Sequence, residues 1–189
     1  MKTVPLSQGY ITIVDDFEYD RAMVGPKWYA RVERRPDGST WNVYVLRNVI
    51  RNGKRTTEQL HRFLLGITDP KIEVDHRDGD GLNNCRSNLR VATAAQNQHN
   101  QRLRIDSTTG LKGTYFHEGA GKFKAQITVN RKVKGLGHFT SPYDAARAYD
   151  GAALEAFGDF AMTNCALGLL PKHPAGVTVQ LPLQLLEAI

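Results

Sequence analysis

Cysteine is scarce in this chain of 189 residues, which has only Cys85 and Cys165, far apart and in no CxxC pair. Two cysteines so far apart make no disulfide framework, and without a CxxC pair they indicate no structural zinc site, so we expect a reducing environment. The first ten residues, MKTVPLSQGY, lack the apolar core of a signal peptide, and no apolar run approaches the length of a membrane span. These absences predict a soluble cytoplasmic protein with no membrane partner.

Acidic side chains are nearly missing from residues 111–139, where six Lys or Arg residues accompany a single acid, Glu118. The next segment, 141–160, reverses the balance with four acids and one basic residue, Arg147. A merely solvated surface more often mixes the two signs, and the whole chain carries a formal net charge of +6. The segregation therefore indicates a basic face that suits a polyanion such as nucleic acid.

The amino-terminal part of the chain favours strands. The segments YITIVDD, WYARVERR and TWNVYVLRNVI are rich in β-branched and aromatic residues. They are followed by a helical pattern over Thr57–Leu65, in which apolar residues recur on one face. A further helix is predicted to begin at about Thr93, with that threonine as its N-cap.

The carboxy-terminal part predicts a compact module of three strands and one helix. Strand candidates lie near 114–117, 123–130 and 133–139, and Ser141–Asp144 combines an N-cap serine, a proline at the first position and an early acid. The polar stretch Ser107–Gly110 is typical of a linker. The class is therefore α+β, with a strand-rich amino-terminal region. We divide the chain into a first domain, a second domain and a tail of unassigned role: 1–106, 107–164 and 165–189.

The segment VDHRDGDGLNNCRSNLRVATAAQNQHN, residues 74–100, crowds five asparagines, three aspartates and two histidines together. Buried polar groups are costly unless each is hydrogen-bonded, so this segment is a solvated loop, a calcium loop or a catalytic site. An EF-hand loop needs a glycine at its sixth position and a glutamate at its twelfth. With Gly81 as the sixth residue, His76 comes first and Ser87 comes twelfth, so the calcium loop fails at both ends.

The turn chemistry of the same segment favours the catalytic alternative. Asp75 and His76 end a short β-branched stretch, the Asp-Gly pairs suit a tight reversal, and Asn88–Val91 can pair back as the second strand of a hairpin. The helix after Thr93 would then lay Asn97 against that hairpin. A carboxylate and an amide oxygen beside an imidazole make a hard metal position that suits Mg²⁺ or Mn²⁺, with a base next to it.

At this spacing Asp75, His76, Asn88 and Asn97 resemble the HNH nuclease family, specifically its phage and intron-homing branch. The resemblance covers about 57–104 and implies a ββα-metal (His-Me finger) core. It implies that Asp75 and Asn97 are metal ligands, that His76 is the general base and that Asn88 braces the loop. The chain lacks the zinc-binding cysteine pairs of some members, so packing alone must hold its hairpin.

The chemistry that this resemblance implies is hydrolysis of a DNA phosphodiester to 5′-phosphate and 3′-hydroxyl ends. His76 can take the proton of the attacking water, because imidazole titrates near neutral pH. A divalent ion, Mg²⁺ or Mn²⁺, would bridge the phosphate and the leaving group. His61 lies inside a helical pattern and is expected to be a packing residue.

Residues 107–164 resemble the AP2/ERF DNA-binding domain through Lys112-Gly113, GKFKA at 121–125, LGHF at 136–139 and AARAYD at 145–150. In that family a three-stranded sheet enters the major groove and a helix supports it from behind, so the basic strands would face DNA and the acidic helix would face away. Plant members of that family place Arg and Trp at several base-reading positions, where this chain has Tyr115, Phe123, Thr128 and Gly135. The implied DNA contacts are Lys112, Lys122, Lys124, Thr128, Arg131, Lys132 and Lys134.

The two resemblances together predict an enzyme similar to homing endonucleases. It would nick or cut double-stranded DNA and take no small-molecule substrate. If a phage encodes it, it would act in the host cytoplasm. An AP2-like domain would raise the local concentration of the catalyst at its target. A monomer would nick and a homodimer could make two cuts. The alternative is a DNA-binding regulator without catalysis, which would have no need of Asp75, His76 and Asn97. RNA binding fits less well, because strands in a major groove suit B-DNA.

Overall fold

The computed structural model describes residues 1–100, 103 and 106–170 and divides into two compact units between Gln98 and His99. Small antiparallel sheets and helices make up the described residues, which confirms the mixed α+β class. The end of the predicted nuclease core and most of the predicted tail lie outside these ranges. None of the helices in the described part of the chain has the length and apolarity that a membrane crossing needs.

The first unit begins with a β-hairpin followed by a helix that the sequence patterns did not predict. Strand β1 (Lys2–Pro5) pairs antiparallel with β2 (Ile11–Val14), and helix α1 (Asp16–Met23) follows. The helix buries a carboxylate, Glu18, which accepts a hydrogen bond from Arg86 Nη2 at 2.7 Å. Apolar periodicity cannot reveal a helix whose buried face carries a charge.

A three-stranded antiparallel sheet and a short helix α2 (Leu60–Leu65) come next. The sheet has the order β3-β4-β5, and its strands are Tyr29–Arg34, Thr40–Arg51 and Lys54–Gln59. The helix predicted over Thr57–Leu65 is therefore wrong in its first three residues, because 57–59 pair with β4. Gly66, with φ +69°, ends α2 in the left-handed conformation that glycine adopts without strain.

The predicted hairpin and helix of the polar segment are present. Strand β6 (Glu73–His76) pairs antiparallel with β7 (Leu89–Ala92), and helix α3 (Ala94–His99) follows. A capping box begins the helix: Gln96 N donates to Thr93 Oγ1 at 3.2 Å, and Thr93 N donates to Gln96 Oε1 at 2.9 Å. The N-cap predicted at Thr93 is confirmed.

One hydrophobic core holds the elements of the first unit together. Val74 of β6 and Leu89 of β7 are buried in it with Trp28, Leu60 and Leu64. Burying a side chain of this size contributes about 1.5–3 kcal/mol, so packing supports the hairpin without cysteine ligands. The loop between β6 and β7 runs close to β4, because a Cβ at Gly81 would lie only 2.2 Å from the carbonyl oxygen of Val43.

The second unit is a three-stranded antiparallel sheet with a helix, α4 (Pro142–Phe157), packed against its central strand. The sheet has the order β10-β9-β8, and its strands in chain order are Thr114–His117, Lys122–Val129 and Lys132–Phe139. These elements confirm the predicted strands to within a residue at each end. The N-cap is confirmed as well, since Ser141 Oγ accepts from Tyr143 N at 3.2 Å.

Two details of the second unit depart from expectation. The resemblance implies that the acidic helix faces away from the sheet into solvent, but Asp150 of this helix is buried and accepts hydrogen bonds from Asn164 N at 2.7 Å and Cys165 N at 2.9 Å. The carboxylate of Asp150 therefore holds the segment after α4 by hydrogen bonds instead of facing solvent. Gly113, with φ +70°, lies so close to α4 that a Cβ there would be 1.8 Å from the Tyr149 ring.

Candidate active site

Asp75 and Asn97 belong to the same face of the β6–β7 hairpin. Glu73 and Asp75 are two residues apart on β6, so their side chains point to one face. On that face Asn97 of α3 donates from Nδ2 to Glu73 Oε2 at 2.6 Å. Because an ionised carboxylate only accepts, this contact assigns the NH₂ group of Asn97 to Glu73 and directs the amide oxygen elsewhere. That oxygen is the atom of an asparagine that coordinates a cation.

Asp75 forms a buried ion pair with Arg90, its partner across the hairpin. Arg90 Nε lies 2.7 Å and Nη2 2.6 Å from Asp75 Oδ2, and the two residues are 8% and 4% exposed. Each charge compensates the burial of the other. A cation beside Asp75 would therefore share this carboxylate with a guanidinium.

His76 follows Asp75 in sequence and is also buried, with 6% of its surface exposed. Its Nε2 lies 3.3 Å from Asn84 Oδ1. Burial lowers the pKa of His76 from its ordinary value, while the Asn84 hydrogen bond and the nearby Asp78 oppose that shift. The imidazole is accordingly neutral at neutral pH, the state that a general base must have.

His61 lies directly against His76. The two ring centroids are 5.1 Å apart and the rings are perpendicular, while His61 Nε2 lies 3.1 Å from Gln59 Oε1. Burial, with a smaller contribution from His76, lowers the pKa of His61 to about 3. The helical pattern predicts a packing residue at His61, and the residue is indeed buried; the surface it packs against is the ring of the candidate base itself.

Asn88 joins the two ends of the loop between β6 and β7. Its Nδ2 donates to Asp78 Oδ1 at 2.9 Å and to the Asn83 carbonyl oxygen at 2.8 Å, and its Oδ1 accepts from Asp78 N at 3.1 Å. All three polar groups of the amide are therefore used within the loop. The loop that carries Asn84 toward His76 is held by these bonds.

The donor atoms of the predicted ligand pair, Asp75 and Asn97, are both oxygen. Mg²⁺ and Mn²⁺ prefer such ligands, and they keep several waters or take phosphate oxygens to complete the coordination shell. Across the described residues, no group of three His, Cys, Asp or Glu side chains is arranged to hold a metal ion. Asp75 and Asn97 alone would leave most of the coordination shell of such an ion to water or phosphate oxygens.

The predicted DNA contacts of the second unit do not lie on one face of its sheet. On β9, Lys122, Lys124 and Thr128 alternate with the buried Ala125 and Ile127, and so point away from α4. We call this the outer face, and Lys122 and Lys124 the outer-face lysines. Its side chains on the three strands include no acid.

Two of the predicted contacts occupy the opposite face. Lys132 and Lys134 pair with Val129 and Ile127, so they point to the side of the sheet on which α4 packs, and we call them the helix-side lysines. Arg131 is exposed in the β9–β10 turn. The remaining predicted contact is tied to the protein, because the ammonium of Lys112 donates to the carbonyl oxygen of Met162 at 2.7 Å and burial lowers its pKa to about 8.

Residues 65–99, which contain the β6–β7 hairpin and α3, match the family model described as HNH endonuclease. The first unit carries an HNH endonuclease domain. The match lies inside the predicted range 57–104 and includes Asp75, His76 and Asn97.

Three viral proteins resemble this chain over part of its length. An uncharacterized HNH endonuclease of Acanthamoeba polyphaga mimivirus, L560, is 35% identical over 111 residues, which are 56% of this chain and 57% of that protein. The H-N-H endonuclease F-TflI of Escherichia phage T5 is 39% identical over 54 residues, 25% of this chain and 28% of that protein. Protein 3.8 of Escherichia phage T7 is 32% identical over 59 residues, 31% of this chain and 49% of that protein.

The chain therefore spans between 28% and 57% of the length of these relatives. No solved structure matches it significantly.

Three residues of the HNH domain that contact the candidate site had no predicted role: Glu73, Asn84 and Arg90. Glu73 could have been found, because it lies two positions before Asp75 on a predicted strand. Arg90 could have been found from the expected hairpin pairing. Asn84 gave no such signal, since it is one of several asparagines in a polar loop and its partners are distant in sequence.

Proposed function

We propose that this chain is a metal-dependent endonuclease that hydrolyses phosphodiester bonds in double-stranded DNA. One arrangement supports it above all: Glu73 orients Asn97 on the face of the hairpin that bears Asp75, with a neutral, buried His76 next in the chain. Two of its viral relatives are named HNH endonucleases, which supports the same reaction class.

In the proposed reaction His76 removes a proton from a water molecule as the oxygen of that water attacks the phosphorus atom. The bond between phosphorus and the 3′ oxygen breaks, and that oxygen takes a proton from solvent, which leaves 5′-phosphate and 3′-hydroxyl ends. Asp75 and Asn97 would hold Mg²⁺ or Mn²⁺, which when bound supplies Lewis-acid stabilisation of the phosphate and the leaving oxygen. Asn88 keeps the loop of the site closed.

The second unit is proposed to be an AP2-like module that anchors the nuclease on DNA. Its support is an outer sheet face with lysines, a threonine and histidines and with no acid. Lysines on such a face neutralise phosphates and release counterions, which gives affinity with little sequence information. Tethering the HNH domain to this module would raise its effective concentration at a bound site.

Cleavage of supercoiled plasmid in Mg²⁺ or Mn²⁺ tests the proposal. We expect conversion to open circle, its abolition by EDTA, and a loss of about a hundredfold or more in His76→Ala, because general-base catalysis contributes on the order of 10²–10⁴. Asp75→Asn should also lose activity, whereas Asp20→Asn, which removes an exposed carboxylate on α1, should not.

Other outcomes separate the alternatives. Direct conversion to linear plasmid would indicate paired sites in a homodimer, and nicking alone would indicate a monomer. Tight DNA binding without cleavage of any plasmid or of genomic viral DNA would overturn the nuclease and favour a DNA-binding regulator. Equal loss of activity in Asp75→Asn and Asp20→Asn would remove the assigned metal position.

A further inference from the structure

Asn84 is almost fully buried in the loop between β6 and β7, with 1% of its surface exposed. Its side chain bonds in three directions. Nδ2 donates to Thr12 Oγ1 at 2.9 Å and to the Gly81 carbonyl oxygen at 3.0 Å, while Oδ1 lies 3.3 Å from His76 Nε2. The residue therefore connects the candidate base to strand β2, which lies far upstream in the sequence.

The surroundings of Asn84 determine which end of its amide faces His76. The Gly81 carbonyl can only accept a hydrogen bond, so the atom next to it must be the NH₂ nitrogen. The Thr12 hydroxyl donates to the Leu82 carbonyl oxygen at 2.6 Å, and so it too accepts from Asn84. A flipped amide would set its oxygen against the carbonyl oxygen of Gly81. The oxygen of Asn84 is therefore the atom that faces His76.

An amide oxygen beside Nε2 requires that this nitrogen carry the hydrogen. A neutral imidazole has one such hydrogen, so Nδ1 then holds the lone pair. We propose that Asn84 is a positioning residue that sets the tautomer and ring orientation of His76, and that Thr12 holds Asn84 in place. On the proposed nuclease function, Nδ1 of His76 is consequently the atom that takes the proton from water, and Asn84 keeps its hydrogen bond to Nε2 throughout.

The backbone supports the same linkage. Ile13 N donates to the Leu82 carbonyl oxygen at 3.0 Å, and Asn84 N donates to the Ile13 carbonyl oxygen at 2.9 Å. The loop segment 82–84 thus lies along β2 as an added extended segment. The amino-terminal hairpin fixes both the backbone and the side chain of the residue that orients His76.

Nitrogen-15 NMR of the histidine rings in the metal-free wild-type protein tests the tautomer directly. We expect the His76 ring to show the Nε2–H pattern, with Nδ1 as the unprotonated nitrogen. The Nδ1–H tautomer in wild type would overturn the proposal. This measurement needs no variant and no nuclease activity, so it stands even if the plasmid assay fails.

Kinetics then test the positioning role. Asn84→Ala should lower kcat by about tenfold to a hundredfold with KM little changed, because misplacing a catalytic group by about 1 Å has an effect of this size. Thr12→Val, which keeps the shape and removes the hydroxyl, should give a smaller loss of the same kind and a mixture of His76 tautomers. Asn83→Ala is the matched control, because this neighbour bonds Asp78 and not His76.

The outcomes separate this proposal from the proposed function. A cleaving wild type whose Asn84→Ala variant is folded and keeps its kcat would overturn the positioning role alone. A wild type with the Nε2–H tautomer that cleaves no DNA would overturn the nuclease and leave the orientation of His76 by Asn84 standing.

Discussion

His61 should make the first unit lose stability as the pH falls. Its side chain is buried, and its folded pKa of about 3 compares with an ordinary value of 6.5. Because the folded pKa is the lower of the two, protons bind the unfolded chain more readily. The contribution of neutral His61 to the free energy of unfolding is therefore present in full above pH 6.5, and it is lost progressively as the pH falls from 6.5 toward 3.

The size of the effect follows from these two pKa values. At about 1.4 kcal/mol per unit, the full difference corresponds to about 5 kcal/mol, of which about 2 kcal/mol is lost between pH 7.5 and pH 5. Replacing His61 by Gln removes this titration while keeping a polar side chain beside Gln59. The free energy of unfolding should consequently fall by about 2 kcal/mol more in wild type than in His61→Gln over this interval.

Urea unfolding in EDTA, followed by tryptophan fluorescence, measures this difference. Both tryptophans of the chain, Trp28 and Trp41, lie in the first unit, so the signal reports on that unit. Ionisable groups remote from His61 are the same in both proteins and largely cancel in the comparison. If the stability difference between wild type and His61→Gln were the same at pH 5 and pH 7.5, the argument from the burial of His61 would be refuted.

Three further outcomes are expected. Replacing both outer-face lysines by Gln should flatten the slope of log K against log salt for DNA binding by about 1.8. The same replacement of the helix-side lysines should change this slope less. Equal changes of slope in the two variants would contradict the assigned faces. Arg90→Leu should lower the free energy of unfolding of the first unit by about 3–5 kcal/mol in EDTA, because it leaves the buried Asp75 carboxylate without its partner. Mn²⁺ should restore part of this stability by compensating the charge of Asp75. An equal loss with and without Mn²⁺ in urea unfolding would argue against a cation beside Asp75. Gly113→Ala should abolish DNA binding in a gel-shift assay, because the added Cβ would overlap the Tyr149 ring. Gly110→Ala is the control and should keep DNA binding, since this glycine also has a positive φ but no atom within 4 Å of an added Cβ. Retained binding in both variants would show that the close contact between Gly113 and Tyr149 is dispensable.

Local signals explain the part of the fold that was predictable. The Asp-Gly reversals, the Thr93 cap and the Ser141-Pro142 helix start each act within a few residues, and the hairpin and helices that they predict are present. The helix predicted from Thr57 failed at its start for a related reason. Apolar spacing suggested a helix there, but pairing with β4, a partner outside the local window, keeps 57–59 in a strand.

Register explains why the basic surface was only partly predictable. Counting charges along residues 111–139 cannot tell which face of a strand each lysine occupies. The pairing of β9 with β10 places Lys132 opposite Val129 and Lys134 opposite Ile127, on the side of the sheet that α4 covers. The register of the same pair shifts between Gly135 and Gly137. A slip of one residue would have reversed their faces. The sequence pattern therefore identifies a basic module, while its contact face needs the three-dimensional pairing.

The matched segment 65–99 is shorter than the structure on which its proposed chemistry depends. Its hairpin buries Val74 and Leu89 against side chains of the sheet and α2, and its loop is bonded to β2 through Asn84. Arg86 of the same loop donates to the buried Glu18 of α1, which adds a charged link at a third point. Because these contacts converge on the loop that carries Asn84 to His76, the amino-terminal strands belong to the architecture of the site. In the proposed reaction the motif supplies the reacting groups, and residues before it hold the loop whose Asn84 contacts His76.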